Sequence, residues 1–384
     1  MATKTLPGPT IGVVGGGQLG RMLAEAAAPL GIETVILDPT PECPASPVAS
    51  EQIVGAFDDP DSVRELAARA DVLTFEIELA DPDLLETVSE EADIEVQPSP
   101  ETLRTIQDKL VQKRALADAG VPVPAFRAVD SPEELRAALE ELGTPAMVKA
   151  REGGYDGRGN LPIEDPEEAA DVLSELGGAA MVEEMVDFER ELSVIAVKGD
   201  EEVATYVAGE NLHEKEILRE TVVPARASGA VRERAQAVAG EVLELMDGRG
   251  VYGIELFQED GEILVNEIAP RPHNSGHWTI EGARSSQFEQ HARAVCGLPL
   301  GATELREPVV TKNVLGDDRE PRRATLSGIE QLLAEPLVHL HWYGKDEVRP
   351  LRKMGHFAVL GGDRSADELL ESARTYWRHV EFDP

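Results

Sequence analysis

Between residues 11 and 96 short β-branched and aliphatic runs alternate with helical stretches, a rhythm that commits this part of the chain to a parallel, helix-covered sheet. The runs are Ile11-Gly12-Val13-Val14, Thr34 to Asp38, Asp71 to Phe75 and Ile94-Glu95-Val96, with helices expected from Leu19 and over Val63 to Ala70. One long helix is expected from Pro100 to Ala119, ended by the two prolines of "GVPVPAF". From Ser131 a helix, the strand "AMVKA", a glycine-rich loop, a helix over 165–176 and the strand "AMVEEMV" predict a compact α+β lid. Strands over 190–197 and 203–208 and a helix over 229–246 follow. The pair "GVYGIELFQEDGEILVNEIAP" comes next, its Asp260-Gly261 being a strong hairpin signal.

Gly15-Gly16-Gly17-Gln18-Leu19-Gly20 follows a strand and opens a helix, with Asp38 at the end of the next strand, so it fits G-x-G-x-x-G in context. A nicotinamide- or flavin-dependent oxidoreductase is one reading. The other is a tight strand-to-helix turn that lets a ligand or helix approach the backbone. No hydride-transfer constellation follows downstream, whereas phosphate and magnesium chemistry does.

The loop Arg151-Glu152-Gly153-Gly154-Tyr155-Asp156-Gly157-Arg158-Gly159-Asn160 lies between two expected strands, and its amides can fold over an anion. Lys149 adds a fixed positive charge at its base. A mobile hairpin is the plain alternative, but mobility alone does not call for Arg, Tyr and Asp among the glycines. Glu255 in "GIELF" and Asn266-Glu267 in "LVNEIAP" sit on opposite arms of the expected hairpin and interrupt apolar strands. Carboxylates at inward positions of buried strands require a cation, and Mg²⁺ is held by few side chains plus substrate phosphates.

Charge sets the limits. With 73 Asp plus Glu against 36 Lys plus Arg the net charge is −37, which excludes general nucleic-acid binding. The acids are spread over regular segments rather than gathered in a tail, as on proteins of salt-accumulating halophiles, where the screening length falls to about 3 Å at 1 M salt. Lysines are correspondingly scarce, and Lys109, Lys149, Lys345 and Lys353 all fall in motifs. Cys43 and Cys296 stand apart, so neither a disulfide framework nor a zinc site is expected. His273 and His277 are four apart, a metal pair only on a helix, and Pro272, Ser275 and Gly276 predict a loop. No apolar run reaches membrane length and no leader is evident, so a cytoplasmic location without membrane attachment is expected.

Taken in order, "GGGQLGRML", "LTFEIE", "QDKLVQKR", "VKAREGGYDGRGN", "NEIAPRPHNSGHWT" and "LVHLHWYGKDEVRPLRKMGH" cover essentially the whole chain. Together they resemble the ATP-grasp superfamily, and within it the N5-carboxyaminoimidazole ribonucleotide synthetases. The resemblance implies an α/β ATP-grasp fold: a Rossmann-like N-terminal domain over 1–112, a lid over 113–186 and a C-terminal α+β domain over 187–384, with a substrate-phosphate segment at 309–384. The implied activity is ATP-dependent carboxylation of 5-aminoimidazole ribonucleotide with bicarbonate, with ATP and Mg²⁺ bound and a homodimer usual among relatives.

By the same resemblance Lys109 and Lys149 contact the ATP phosphates beneath the loop Gly153, Gly154, Tyr155, Asp156, Gly157, Arg158 and Gly159. Glu183, Glu184, Met185 and Val186 adjoin the adenine, Glu191 the ribose and His213 the nucleotide, unless His213 is an ordinary surface histidine. Glu255 and Glu267 hold Mg²⁺, supported by Asn266. Arg271, His273 and Asn274 hold bicarbonate and the carboxyphosphate formed from it, an arginine with neutral donors being a sound anion cradle. Lys345 and Arg352, with Lys353, clamp the ribonucleotide's 5′-phosphate. Tyr155, Asp156 and Arg158 close over the aminoimidazole, opposite Gln18, Leu19 and Glu76. Lys312-Asn313 departs from the family pattern and is expected on the surface of the C-terminal domain. The rivals are another ATP-grasp ligase, such as formate-dependent glycinamide ribonucleotide transformylase, the oxidoreductase above, and a non-catalytic nucleotide-binding regulator.

Overall fold

In the computed structural model residues 5–153 and 159–383 are described, and among them three main sheets form. The first is five-stranded and parallel, in the order β3-β2-β1-β4-β5, from β1 (Ile11–Val14), β2 (Thr34–Asp38), β3 (Glu51–Val54), β4 (Val72–Phe75) and β5 (Glu95–Val96). Strand order reverses at β1, so the carboxyl ends of β1 and β4 lie side by side at the point where such sheets bind ligands. The helices are α1 (Gln18–Ala27), α2 (Pro60–Ala67), α3 (Pro82–Ala92), α4 (Pro100–Gln107) and α5 (Lys109–Asp118). Helices α2, α3 and α4 start alike: Asp59, Asp81 and Ser99 accept backbone N–H groups of the first turn, and a proline holds the first helical position.

The single helix expected over Pro100 to Ala119 is two. Asp108, at φ −92° and ψ 103°, ends α4 and caps α5, its carboxylate accepting from the Leu110 and Val111 amides at 3.0 and 3.2 Å. A capping acceptor replaces a helical turn there, and α5 is re-aimed.

The second sheet is four-stranded and antiparallel, order β6-β9-β7-β8, built from β6 (Phe126–Val129), β7 (Ala146–Ala150), β8 (Asn160–Ile163) and β9 (Ala180–Glu184). Helices α6 (Pro132–Leu142) and α7 (Ala169–Leu176) cover one face, enclosing Leu135, Leu139, Val148, Val182 and Leu173. The helix expected over 165–176 begins as a 3₁₀ turn at Pro166–Glu168.

The third sheet holds β10 (Arg190–Lys198), β11 (Val203–Thr205), β12 (Gly209–Glu214), β13 (Ile217–Val223), β14 (Gly250–Glu259), β15 (Glu262–Ala269) and β16 (Val309–Leu315), and continues through strands Lys353–Leu360 and Val338–Trp342. The strand expected over 203–208 stops at Thr205. The β14–β15 turn is as expected: Asp260 and Gly261 both have positive φ, 49° and 82°, the backbone that Asp-Gly favours. Helix α8 (Gly229–Leu245) packs Val238, Val242 and Leu243 on this sheet.

The first and third sheets share a core. Ile11, Val13 and Ile36 on one face of the first sheet pack with Leu19, Met22 and Leu23 of α1, and this cluster is completed by Phe288, Ala292 and Val295 of helix Gln287–Val295 and by Tyr343. A polar pin joins them as well. Buried His291 accepts from the Val251 amide at Nδ1 (3.1 Å), so its Nε2–H is left to donate to Thr74 Oγ1 (2.9 Å). Burial alone pushes this imidazole down to about 3. Because the folded value lies below the ordinary one of about 6.5, the unfolded chain binds the extra proton. Stability from His291 is therefore present above pH ~6.5 and is lost as pH falls toward 3, about 2–3 kcal/mol between pH ~6.5 and ~4.5. The wild type and His291→Asn should differ in the pH slope of unfolding free energy by about one proton in that window; parallel slopes would show that the ring titrates normally.

Lys312 does not lie on an open surface. On β16 it pairs with buried Glu220 of β13 at 2.7 Å, Arg374 adds a second cation at 3.3 Å, and Asn313 is buried and donates to the Leu218 carbonyl. The departure from the family pattern thus brings its own counter-ion. Among the described residues no helix is long and apolar enough to cross a membrane.

Candidate active site

The glycine turn after β1 already holds anions of its own. Glu76, the first residue beyond β4, accepts from the Gly17 amide and from Gly20 N–H at 2.7 Å, and Asp38 accepts from Gly16 N–H at 2.9 Å and Thr40 N–H at 2.8 Å. The amides that a pyrophosphate would need are occupied by side chains. A Cβ on Gly17 would come within 2.7 Å of the Glu76 carboxylate, which accounts for the glycine. Burial raises the Glu76 carboxyl to about 7 despite these bonds. Gln18 and Leu19 begin α1 beside it.

On the third sheet Glu255 and Glu267 are direct cross-strand partners, placed together by the hairpin register. Burial pushes Glu255 up to about 7, and the like charge of Glu267 adds to the rise. Glu267 is held lower: burial acts upward, but Lys109 and Lys149 outweigh it. The Lys109 ammonium is 3.1 Å from Glu267 Oε1, and Lys149 donates to Asn266 Oδ1 at 3.2 Å. Two adjacent carboxylates, one of them unfavourably ionised, suit a divalent cation that neutralises both. Among the described residues no three His, Cys, Asp or Glu side chains converge as a metal centre, so such an ion would take its remaining oxygens from phosphates and water.

Glu183, on β9, directs its carboxylate to Lys113 at 2.9 Å and Lys149 at 2.5 Å. Glu184 accepts from the Ala125 amide at 2.8 Å, Met185 is exposed and Val186 buried. His213 on β12 is partly buried and its Nδ1 bonds Glu191 of β10, so it is no isolated surface residue. Burial disfavours its charge, yet the Glu191 carboxylate carries it above the ordinary histidine value. Gly153 and Gly159, at φ 75° and 80°, frame the glycine loop. Gly154, Tyr155, Asp156, Gly157 and Arg158 lie outside the described residues. Arg151 anchors the loop's base, its guanidinium on the Asp108 carboxylate and its carbonyl accepting from Lys109 N–H at 2.9 Å.

After β15 the chain turns through a loop and a short 3₁₀ turn, Asn274–Gly276. Arg271 reaches Glu78 at 2.8 Å, His273 bonds Ser275 Oγ at 2.8 Å, donates its backbone N–H to Gln287 Oε1 and accepts Gln287 Nε2–H at its carbonyl, and the Asn274 amide has both polar atoms enclosed without a partner among the described residues. His277 faces elsewhere. It is buried against His356, ring centroids 4.6 Å apart, and burial holds it well below the ordinary histidine value. Lys345 donates to the Lys353 carbonyl at 2.7 Å and lies 5.7 Å over the Tyr343 ring, while Arg352 donates to the Glu347 carbonyl. Burial presses the Arg352 guanidinium down and neighbouring Arg349 adds to it, against the opposing pull of Glu347 and Asp346.

Four residues of this site were not singled out by the sequence reading. Asp108 and Arg151 carry a readable signal, an Asp before a helical run and a charge beside the glycines. Gly253 is the small residue in β14 against which His273 lies: an added Cβ would sit 2.3 Å from His273 Cβ. Lys113, one turn after Lys109, reads as another surface charge on a helix.

Family models match over three segments: a ribonucleotide synthetase preATP-grasp domain over 9–107, an ATP-grasp domain over 114–288 and a phosphoribosylaminoimidazole carboxylase C-terminal domain over 310–371. The chain is 44% identical over 359 residues to the N5-carboxyaminoimidazole ribonucleotide synthase of Brucella melitensis, covering 92% of this chain and 97% of the relative. The N5-carboxyaminoimidazole ribonucleotide synthetase of Thermotoga maritima superposes with a TM-score of 0.88 at 41% identity, covering 97% of this chain and 99% of that one. A synthase from Aspergillus clavatus, solved with ADP and 5-aminoimidazole ribonucleotide, gives 0.86 at 35% identity, each chain covered to 97%. On this sequence identity, carried over nearly its whole length, the chain belongs to the N5-carboxyaminoimidazole ribonucleotide synthase family of ATP-grasp ligases.

Proposed function

We propose that this ligase carboxylates 5-aminoimidazole ribonucleotide with bicarbonate at the expense of ATP, giving N5-carboxyaminoimidazole ribonucleotide, ADP and phosphate in de novo purine (IMP) biosynthesis. The observation that carries it is the cross-strand pair Glu255 and Glu267 with Lys109 and Lys149 on its rim, a centre built for phosphoryl transfer. Bicarbonate is a poor electrophile, so one of its oxygens attacks the γ-phosphate to give carboxyphosphate. Carboxyphosphate, or CO₂ released from it inside the closed site, is then captured by the exocyclic amine of the ribonucleotide. A lid is needed because the intermediate hydrolyses in water.

Lys109 and Lys149 neutralise phosphate oxygens under the loop that includes Gly153 and Gly159. Glu255 and Glu267, supported by Asn266, hold Mg²⁺, which when bound neutralises charge on the phosphates. Because the Glu183 carboxylate is committed to lysines, the adenine contact of segment 183–186 falls to its backbone and to Glu184, Met185 and Val186, with Glu191 and His213 beyond it. Arg271, His273 and Asn274 orient bicarbonate. Lys345, Arg352 and Lys353 take the 5′-phosphate, and Gln18, Leu19 and Glu76 line the aminoimidazole pocket that Tyr155, Asp156 and Arg158 close. The reading also includes the domain division 1–112, 113–186 and 187–384, a homodimer, a cytoplasmic location and a salt-accumulating host. The transformylase alternative is not favoured, since the matched C-terminal segment is that of phosphoribosylaminoimidazole carboxylases.

The test is ADP release in high salt with Mg-ATP and bicarbonate, with and without 5-aminoimidazole ribonucleotide. Stimulation by the ribonucleotide, with labelled bicarbonate entering an acid-labile product, is expected. Stimulation only by a different amine or carboxylate would overturn the substrate assignment.

A further inference from the structure

Lys113 is among the largest fully enclosed side chains of the protein, 1% exposed, and no step above uses it. From α5 its ammonium donates to the Val265 carbonyl on β15 at 2.8 Å and pairs with Glu183 on β9 at 2.9 Å. The other Glu183 oxygen pairs with Lys149 on β7 at 2.5 Å. One buried carboxylate thus serves two ammonium groups, and a purely structural pair would need only one.

The two cations are not equivalent. Lys113 is enclosed by α5, β9 and β15, with its ammonium tied to the backbone carbonyl of Val265. Both line a small cavity with Lys109, Asn160 and Glu267, but Lys149 is 12% exposed at its side chain against 2% for Lys113, and its second partner is the side chain of Asn266. Burial alone would raise the Glu183 carboxyl, but with Lys113 and Lys149 beside it the group is held down at about 2, so it stays an anion that must be neutralised. If Lys149 were its sole partner, moving that ammonium to a phosphate would strand a buried, unpaired charge, which is strongly unfavourable.

We infer that Lys113 is the permanent counter-ion of Glu183, and that by neutralising it Lys113 frees Lys149 to exchange Glu183 for the nucleotide's phosphates. Lys113 is then a positioning residue acting through Glu183. The inference rests on the proposed role of Lys149 in ATP binding.

Lys113→Met keeps the length of the side chain and removes its charge. The expected result is a rise of about tenfold or more in KM for ATP with KM for 5-aminoimidazole ribonucleotide unchanged. Adding Glu183→Gln to that variant should bring KM for ATP back to within a few-fold of wild type, because Lys149 then has no buried anion to return to. A structural role predicts the reverse, the second substitution compounding the first, and that result would overturn the inference. If Lys113→Met does not fold, Glu183→Gln alone decides: KM for ATP unchanged or lower supports it, and a tenfold rise sinks it. Lys149→Met separates the two levels. Unaltered ATP kinetics in that variant would remove the nucleotide assignment itself, whereas raised KM there without rescue in the double variant would remove only the role of Lys113.

Discussion

Replacing Glu267 with Gln is expected to lower ribonucleotide-dependent ADP formation by about 10²-fold or more while leaving the protein folded. The substitution preserves shape and removes one of two carboxylates that face each other across β14 and β15. Folding should tolerate this, because the lost attraction to Lys109 and Lys149 is offset by relief of the repulsion that helps to push Glu255 up to about 7. Under the proposed metal role catalysis should not, because the charge that accumulates on a transferring phosphoryl group would be met by a cation that these carboxylates hold. The companion sign is a rise in the Mg²⁺ concentration needed for half-maximal activity. Near-normal turnover at ordinary Mg²⁺ would count decisively against a metal role for Glu267.

Gly253→Ala should cost about as much, by a different route. The new methyl would lie 2.3 Å from His273 Cβ and 2.6 Å from Cγ, closer than real Cβ contacts permit. The imidazole cannot yield freely, since its Nδ1 bonds Ser275 and its backbone is fixed by Gln287 at both N–H and carbonyl. A displacement of about 1 Å at a group that orients a reactant can cost on the order of 10²-fold in rate. Turnover should therefore fall sharply while calorimetric ADP affinity stays near wild type, because the proposed nucleotide contacts, Lys109, Lys149 and segment 183–186, are untouched. Wild-type turnover would show that His273 does not need its present position.

Periodicity and turn chemistry made most of the fold legible. Regular β-branched runs gave the parallel sheet, and Asp260-Gly261 gave the hairpin, which in turn gave the Glu255 and Glu267 pairing. What escaped depends on partners distant in sequence. Asp108 interrupts a pattern that is helical on both sides, and the reason is Arg151, forty-three residues on. Lys113 is indistinguishable from a solvated lysine until β9 and β15 close over it. Lys312 resembled a surface charge because its counter-ion Glu220 lies on a neighbouring strand rather than a neighbouring residue. The glycine turn was legible as a close approach of backbone and ligand; that the ligand is the protein's own Glu76 was not, because Glu76 arrives from β4, adjacent to β1 in the sheet but fifty-nine residues beyond Gly17.

The shared core of the first and third sheets bears on how the chain is made. Ile11, Val13 and the apolar face of α1 are covered by Phe288, Ala292 and Val295, almost three hundred residues downstream. At ordinary rates of synthesis this greasy face waits on the order of tens of seconds for its cover to leave the ribosome. Until then the nascent amino-terminal unit carries an apolar face with no partner in its own sequence, closed first by helix Gln287–Val295 and then by Tyr343.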